Sequence, residues 1–282
     1  MTDNTDNTDT DDESLEKSIP AQPENITTNK ELKDMEVHHH PNLHHKPKPW
    51  KEYLLEFLMI FLAVSMGFFA ESYREHLSDQ SKEKEYVHSL IEDLKTEQRL
   101  LSKHIEDMQS GISMMDSMIG FLNTPELITN NTGQLYYLAR LAPRLYPLLT
   151  NNRTFEQLKN SGNFRLIRNI STSNKIMTYY EKFPLISLLQ SVNETEFTEY
   201  KKVAAKIFDP SIFIKMEGEN AEMKRINNNP SLRSTDNELL QELSVFSVYM
   251  HGTKKGILGA DKEIKITGAA LIDYLQKEYH ME

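Results

Sequence analysis

The chain has 282 residues, no cysteine and a formal net charge of −10. The missing cysteine excludes a disulfide framework, a thiolate zinc site and a cysteine nucleophile. The acidic balance excludes the clustered Lys and Arg that a nucleic-acid backbone requires, so no nucleic-acid partner is expected.

Much of the acidity lies in residues 1–36, where Asp-Asn-Thr units repeat. Low hydrophobicity and high charge there leave too little apolar surface to offset ordering entropy, which predicts disorder. Pro41, Pro47 and Pro49 extend the chain through a His-rich stretch, so residues 1–49 read as an unstructured lead. His38, His39, His40, His44 and His45 can contact a transition metal through imidazole. They lack a scaffold, carboxylate partners and any H-E-x-x-H or Cys/His spacing, so they read as an adventitious metal contact. No cofactor is expected.

Residues 53–70, YLLEFLMIFLAVSMGFFA, form an apolar run of the length that crosses a bilayer as a helix. After Glu56 its only polar side chain is Ser65, and Trp50, Tyr53 and Tyr73 mark its ends as interfacial aromatics do. It lacks a short basic lead and an A-x-A site, so residues 50–73 read as an uncleaved transmembrane anchor. Lys46, Lys48 and Lys51 precede it, whereas Arg74, Lys82 and Lys84 follow. The positive-inside bias slightly favours a cytoplasmic N-terminus and hence residues 74–282 outside the cytoplasm.

Glu56 is an intramembrane acid candidate, either a proton carrier or an interhelical hydrogen bonder. The blander reading, a carboxylate one turn inside the interface that reaches headgroups, is favoured. Ala63 and Gly67 form a small-xxx-small pair that lets two helices approach closely.

With no proline between Trp50 and Leu122, one helix can leave the membrane and continue, with Ser78-Asp79-Gln80-Ser81 as the expected break. Val87, Ile91, Leu94, Gln98, Leu101, Ile105, Met108, Ile112, Met115, Ile119 and Leu122 alternate four and three, a heptad seam. Leu90, Leu100, Met114 and Met118 widen it, which predicts a helical bundle. Thr124-Pro125 ends this helix, and short helices follow over 133–142 and 155–160. A rigid connector at 143–147 separates them, and Asn152-Arg153-Thr154 is the expected cap of the second. Gly162 is expected in the left-handed position. A long helical stretch over 172–208 should kink at Pro184 and stop at Asp209-Pro210, before a loop at 218–234. Asp236 caps a last helix reaching about Tyr279. The fold class is all-α.

The blocks Trp50-Lys51-Glu52-Tyr53-Leu54-Leu55-Glu56-Phe57 and Gly67-Phe68-Phe69-Ala70-Glu71 resemble an uncharacterised Gram-negative bacterial family of single-pass membrane proteins with a His-rich lead. Lys82-Glu83-Lys84-Glu85-Tyr86 and Thr154-Phe155-Glu156-Gln157-Leu158-Lys159-Asn160-Ser161-Gly162-Asn163 are similar to its later blocks. The resemblance implies membrane location and no activity. Thr154, Gly162, Asn163, Arg165 and Arg168 are either a structural corner, the favoured reading, or a partner site.

No G-x-S-x-G, Rossmann or Walker A pattern occurs, so the chain is not expected to be an enzyme. The expected protein is a single-pass inner-membrane scaffold or interaction module with a periplasmic α-helical domain. Its expected partners are the lipid bilayer and either a second copy or another envelope protein. The alternative is a subunit of an ion-coupled membrane complex that uses Glu56.

Overall fold

A computed structural model describes residues 49–281, so the acidic lead and the histidines at 38–45 lie outside the described residues. The regular elements are α1 (Trp50–Leu122), α2 (Pro125–Asn130), α3 (Thr132–Leu141), α4 (Arg153–Asn160), α5 (Ile170–Tyr180), α6 (Phe183–Ile207), α7 (Pro210–Met216) and α8 (Asn237–Tyr279). Single 3-10 turns occupy Asn163–Leu166 and Glu219–Ala221, and the only β pairing among the described residues is an isolated bridge, Glu217 to Met223. The chain divides into two compact units, Met1–Ile60 and Phe61–Glu282. All packing described below lies within the second.

Helix α1 is 73 residues long and runs through residues 78–81, where a break was expected. Of the polar side chains there, Asp79 accepts from the Arg168 guanidinium, which also donates to His76 just before it. Within α1, residues 53–70 are exposed except for half-buried Ser65, and burial begins in earnest only at Val87.

α1 and α8 run antiparallel, as the pairs Glu83–Tyr279, His104–Asp261 and Asn123–Ser244 show along their length. α6 lies along α8 in the opposite sense, with Glu196 accepting from Thr253 and Lys182 paired with Glu263. Two apolar clusters result. One joins Val87–Leu101 positions of α1 to Tyr179 and Tyr180 of α5, Ile186 of α6 and Leu271 of α8. The other joins Met115, Met118 and Leu122 to α3, to Tyr200 and Ile207 of α6, and to Leu243 and Met250 of α8.

The three long helices share one pattern. α1 buries Leu90, Glu97, His104, Gly111 and Met118, and α6 buries Ile186, Asn193, Tyr200 and Ile207. α8 buries Leu240, Ser247, Lys254, Asp261, Gly268 and Leu275. Each set repeats every seventh residue, the period of a helix that keeps one stripe against its neighbours. The ends of these stripes are apolar and their middles are polar, so a polar waist separates the two cores; Ile105, Met108 and Ile257 are buried beside it.

Several local expectations need correction. Residues 172–208 are two helices, because Glu181 and Lys182 form a turn and Pro184 sits in the first turn of α6. That is where a missing N–H is harmless. Pro210 likewise opens a helix, with the Asp209 carboxylate accepting from Ser211 N–H at 2.8 Å. α4 begins at Arg153, and Asn152 makes no side-chain cap. Its N-terminus is capped instead by Asp93 of α1, described below. Gly162 has φ +69°, and the Asp236 side chain caps α8 through Glu238 N–H.

Gly133 opens α3 against the loop at Ile226–Asn229, and a Cβ there would lie 2.3 Å from the Asn228 carbonyl oxygen. The obstacle is backbone rather than a movable side chain. Gly133→Ala is therefore expected to lower stability by about 1–3 kcal/mol, the usual cost of overpacking. A urea-denaturation midpoint unchanged within error would contradict this close approach.

Candidate functional site

Residues 144–152 have no regular structure, yet the segment crosses the helix faces at the waist. A segment so placed needs partners for its peptide groups. The buried polar side chains supply them. Lys254 Nζ donates to the Arg144 carbonyl at 2.7 Å and lies 5.3 Å from the centre of the Tyr146 ring. His104 Nε2 meets the Tyr146 carbonyl at 2.7 Å. Asn151 N–H donates to Glu97 Oε2 at 2.6 Å, and its side-chain amide donates to Asp93 Oδ1 at 3.0 Å. Asp93 Oδ2 accepts from both the N–H and the hydroxyl of Thr154, at 2.8 and 2.7 Å. Asp93 thus caps α4 from another helix, where an anion is favoured by the free N–H groups.

His104 Nδ1 lies 2.8 Å from Asp261 Oδ2. A carbonyl can only accept, and so can an ionised carboxylate, so both ring nitrogens donate and the ring is an imidazolium. Burial opposes that charge, but the Asp261 carboxylate and the Tyr146 carbonyl outweigh it, and the His104 pKa is raised. His104 is 4% exposed and Asp261 0%, so this is an ion pair in the protein interior.

The other waist groups are shifted by the same competition. Burial pushes Glu97 up to about 7, with the Asp93 charge adding to it and Asn151 N–H opposing it. Burial pulls Lys254 down to about 8 against the attraction of Glu196. Burial also raises Glu196, which Thr253 and Lys254 partly offset. For Asp93, burial is outweighed by its hydrogen bonds from Thr154, Arg153 and Asn151, and its pKa is lowered. Glu97 Oε1, Gln190 Nε2, Asn193 Oδ1, Glu196 Oε2 and Asp261 Oδ1 are buried polar atoms without a protein partner. Such atoms are the kind of group that ordered water commonly satisfies.

No set of three His, Asp or Glu side chains among the described residues is placed to hold a metal ion. The waist charges point at backbone and at one another. What this arrangement does chemically is grip an irregular segment.

The residues singled out from the sequence fall elsewhere. Glu56, Ala63 and Gly67 occupy exposed positions of α1. Nothing outside the helix backbone lies within 4 Å of the position of a Gly67 Cβ. The block from Thr154 to Arg168 comes together against α1: Thr154 on Asp93, the Asn163 amide donating to the Tyr86 hydroxyl at 2.9 Å, and Arg168 N–H donating to Glu83 at 3.1 Å. Gly162 makes the turn that allows this, and Arg165 stays exposed. Glu83 also accepts from the Tyr279 hydroxyl at 2.7 Å, which ties the end of α8 into the same corner. His104, Asp261, Glu97 and Lys254 were not anticipated; their signal was the polar interruption of an otherwise apolar every-seventh stripe.

No family model, curated protein or solved structure matches the chain.

Proposed function

We propose that the protein is a membrane-anchored, non-enzymatic helical interaction module, with residues 53–70 of α1 in the bilayer of a bacterial inner membrane. In this reading residues 74–282 form a periplasmic bundle that engages a second copy or another envelope protein. The observation that carries it is the exposed apolar stretch of α1, whose best window has a mean hydropathy of 2.0 and 0% of its residues buried. Phe57, Ile60, Phe61, Met66, Phe68 and Phe69 are each more than half exposed. A fully exposed side chain of this size forgoes about 1.5–3 kcal/mol relative to an apolar environment. Lipid removes that cost.

Two further observations support an architectural role. The buried ionisable groups of the waist are engaged in fixing the 144–152 segment. The Thr154–Arg168 block, which carries part of the resemblance to a single-pass family, is likewise occupied in holding a corner against α1. The lysines ahead of the span support a cytoplasmic N-terminus.

The full-length protein is expected in the membrane pellet after a carbonate wash, and in solution only with detergent. Leu62→Arg combined with Val64→Arg is expected to release most of it, since each arginine near a span's centre costs about 2.5–3.5 kcal/mol. A wild-type protein that stays in the aqueous fraction without detergent would sink the proposal. Protease access to the bundle in spheroplasts tests the orientation, and a mild-detergent pulldown separates a second copy from a different partner.

A further inference from the structure

A cleft of about 400 Å³ opens between the end of α3, the C-terminal half of α6 and the start of α7. Its floor is apolar and firm: Tyr200, Phe208 and Ala139 are 2%, 1% and 4% exposed. The Tyr200 hydroxyl is already used, donating to the Ala139 carbonyl at 2.9 Å, so the floor holds no free hydroxyl. Phe197 and Phe213 form the apolar walls.

The rim is cationic. Arg140, Lys201 and Arg233 line the cleft, all exposed, and no acid does. Among the described residues none of the three forms an ion pair. Arg233 donates to the Ala205 carbonyl at 3.3 Å, and Lys201 lies 4.6 Å from the Phe197 ring centre. Asp209, whose carboxylate caps α7, also acts on Arg233 electrostatically.

The groove between α5 and α8 also sets lysines beside apolar side chains, but Lys182 there is paired with Glu263 and Lys175 lies 4.9 Å from the Tyr274 ring centre. The hollow beside Arg165 and Arg168 has Glu71, Glu75 and Asp79 in its walls.

Three positive charges around an aromatic floor are complementary to one chemistry: an anionic head on an apolar body. The volume lies within the range of sites for small organic ligands. Arginine donates in a fork that matches carboxylate and phosphate oxygens. We propose that this cleft binds a single-chain amphiphile, its carboxylate or phosphate head held by Arg140, Lys201 and Arg233 and its chain laid between Phe197 and Phe213.

The test uses the full-length protein in phosphatidylcholine nanodiscs. The probes are dodecanoate and dodecyl phosphate, each with a photoactivatable diazirine on the chain, and dodecyltrimethylammonium labelled the same way. Cross-links mapped by mass spectrometry are expected to be saturable and to fall on peptides containing Phe197–Phe213 and Ala139–Pro143. Preference for dodecanoate assigns a fatty carboxylate, and preference for dodecyl phosphate a phosphate head. Arg140→Glu with Lys201→Glu is expected to reduce labelling at these peptides about tenfold or more, since it replaces two of the three donors to the anionic head with like charge. Ala205→Trp, at an exposed lining position, should reduce it as well by filling the cleft. Both variants change exposed side chains, and unfolding midpoints equal to wild type establish that the fold is kept. Equal labelling by the cationic probe overturns the proposal. So does labelling of these peptides that neither variant reduces, or labelling confined to residues 53–70.

Discussion

Asp261→Leu is expected to lower the stability of the folded domain by about 3–5 kcal/mol, because it strands the His104 imidazolium in the interior. His104→Leu should cost a comparable amount, stranding the Asp261 carboxylate and also leaving the Tyr146 carbonyl without its donor. The double replacement removes both charges at once and should be markedly less damaging than the sum of the two, with a coupling of about 1–3 kcal/mol. Denaturant unfolding of the four proteins in one detergent measures this cycle. Additive single effects of under about 1 kcal/mol each would show that the pair is not the buried ion pair described here.

Stability is expected to peak near about pH 5 and to decline toward about pH 8, opposite to the acid lability of many folded proteins. Glu97 has an ordinary value of 4.5 and is pushed up to about 7 in the fold. Between those values the folded state binds more protons than the unfolded one, so stability falls as pH rises. The raised His104 acts in the same direction: its contribution is complete below 6.5 and is lost as pH climbs through its folded value. Lys254, with an ordinary value of 10.5 and a folded one of about 8, reverses the trend. From about 8 to 10.5 the unfolded state holds more protons, and stability recovers. At the acid end the lowered Asp93 contributes stability that disappears as pH falls below 3.8 toward its folded value. Glu97→Gln keeps an oxygen that can accept from Asn151 N–H and removes the titration, so it should flatten the slope between pH 4.5 and 7. A melting temperature that rises from pH 5 to pH 8, or a slope unchanged in Glu97→Gln, would contradict these assignments.

Much of the helical frame was legible because its signals are local or periodic. The four-three alternation from Val87 to Leu122 coincides with the buried face of α1, and Asp236 and Gly162 act where short-range rules place them. At proline the shortfall has one form: Pro125 and Pro210 do follow helix ends but also open the next helix, and Pro184 starts α6 instead of kinking a longer helix. Pro125, Pro184 and Pro210 each stand in the first turn of a helix, where their fixed φ suits the start of a helix rather than its interior. Residues 78–81 look breakable because the partner of Asp79, Arg168, is remote in sequence.

The waist was hidden for a different reason. Polar residues at Glu97, His104, Lys254 and Asp261 look like solvent-facing positions until the every-seventh spacing is followed from apolar Leu90 to Met118 and from Leu240 to Leu275. Their need is created by residues 144–152, whose path no local pattern specifies. The exposed apolar stretch of α1, by contrast, is readable from composition alone.

Repeated apolar layers leave long helices free to slide past one another by a whole repeat, since each layer resembles the next. Here the polar layer removes that ambiguity for α1 and α8. Shifted one repeat one way, His104 would face Lys254 and Asp261 would face Glu97, like charge against like. Shifted the other way, His104 would meet Gly268 and Asp261 would meet Gly111, each ion without a counterpart. Only the observed alignment sets His104 against Asp261, so a pull along α1 has no neighbouring rung that keeps this pair.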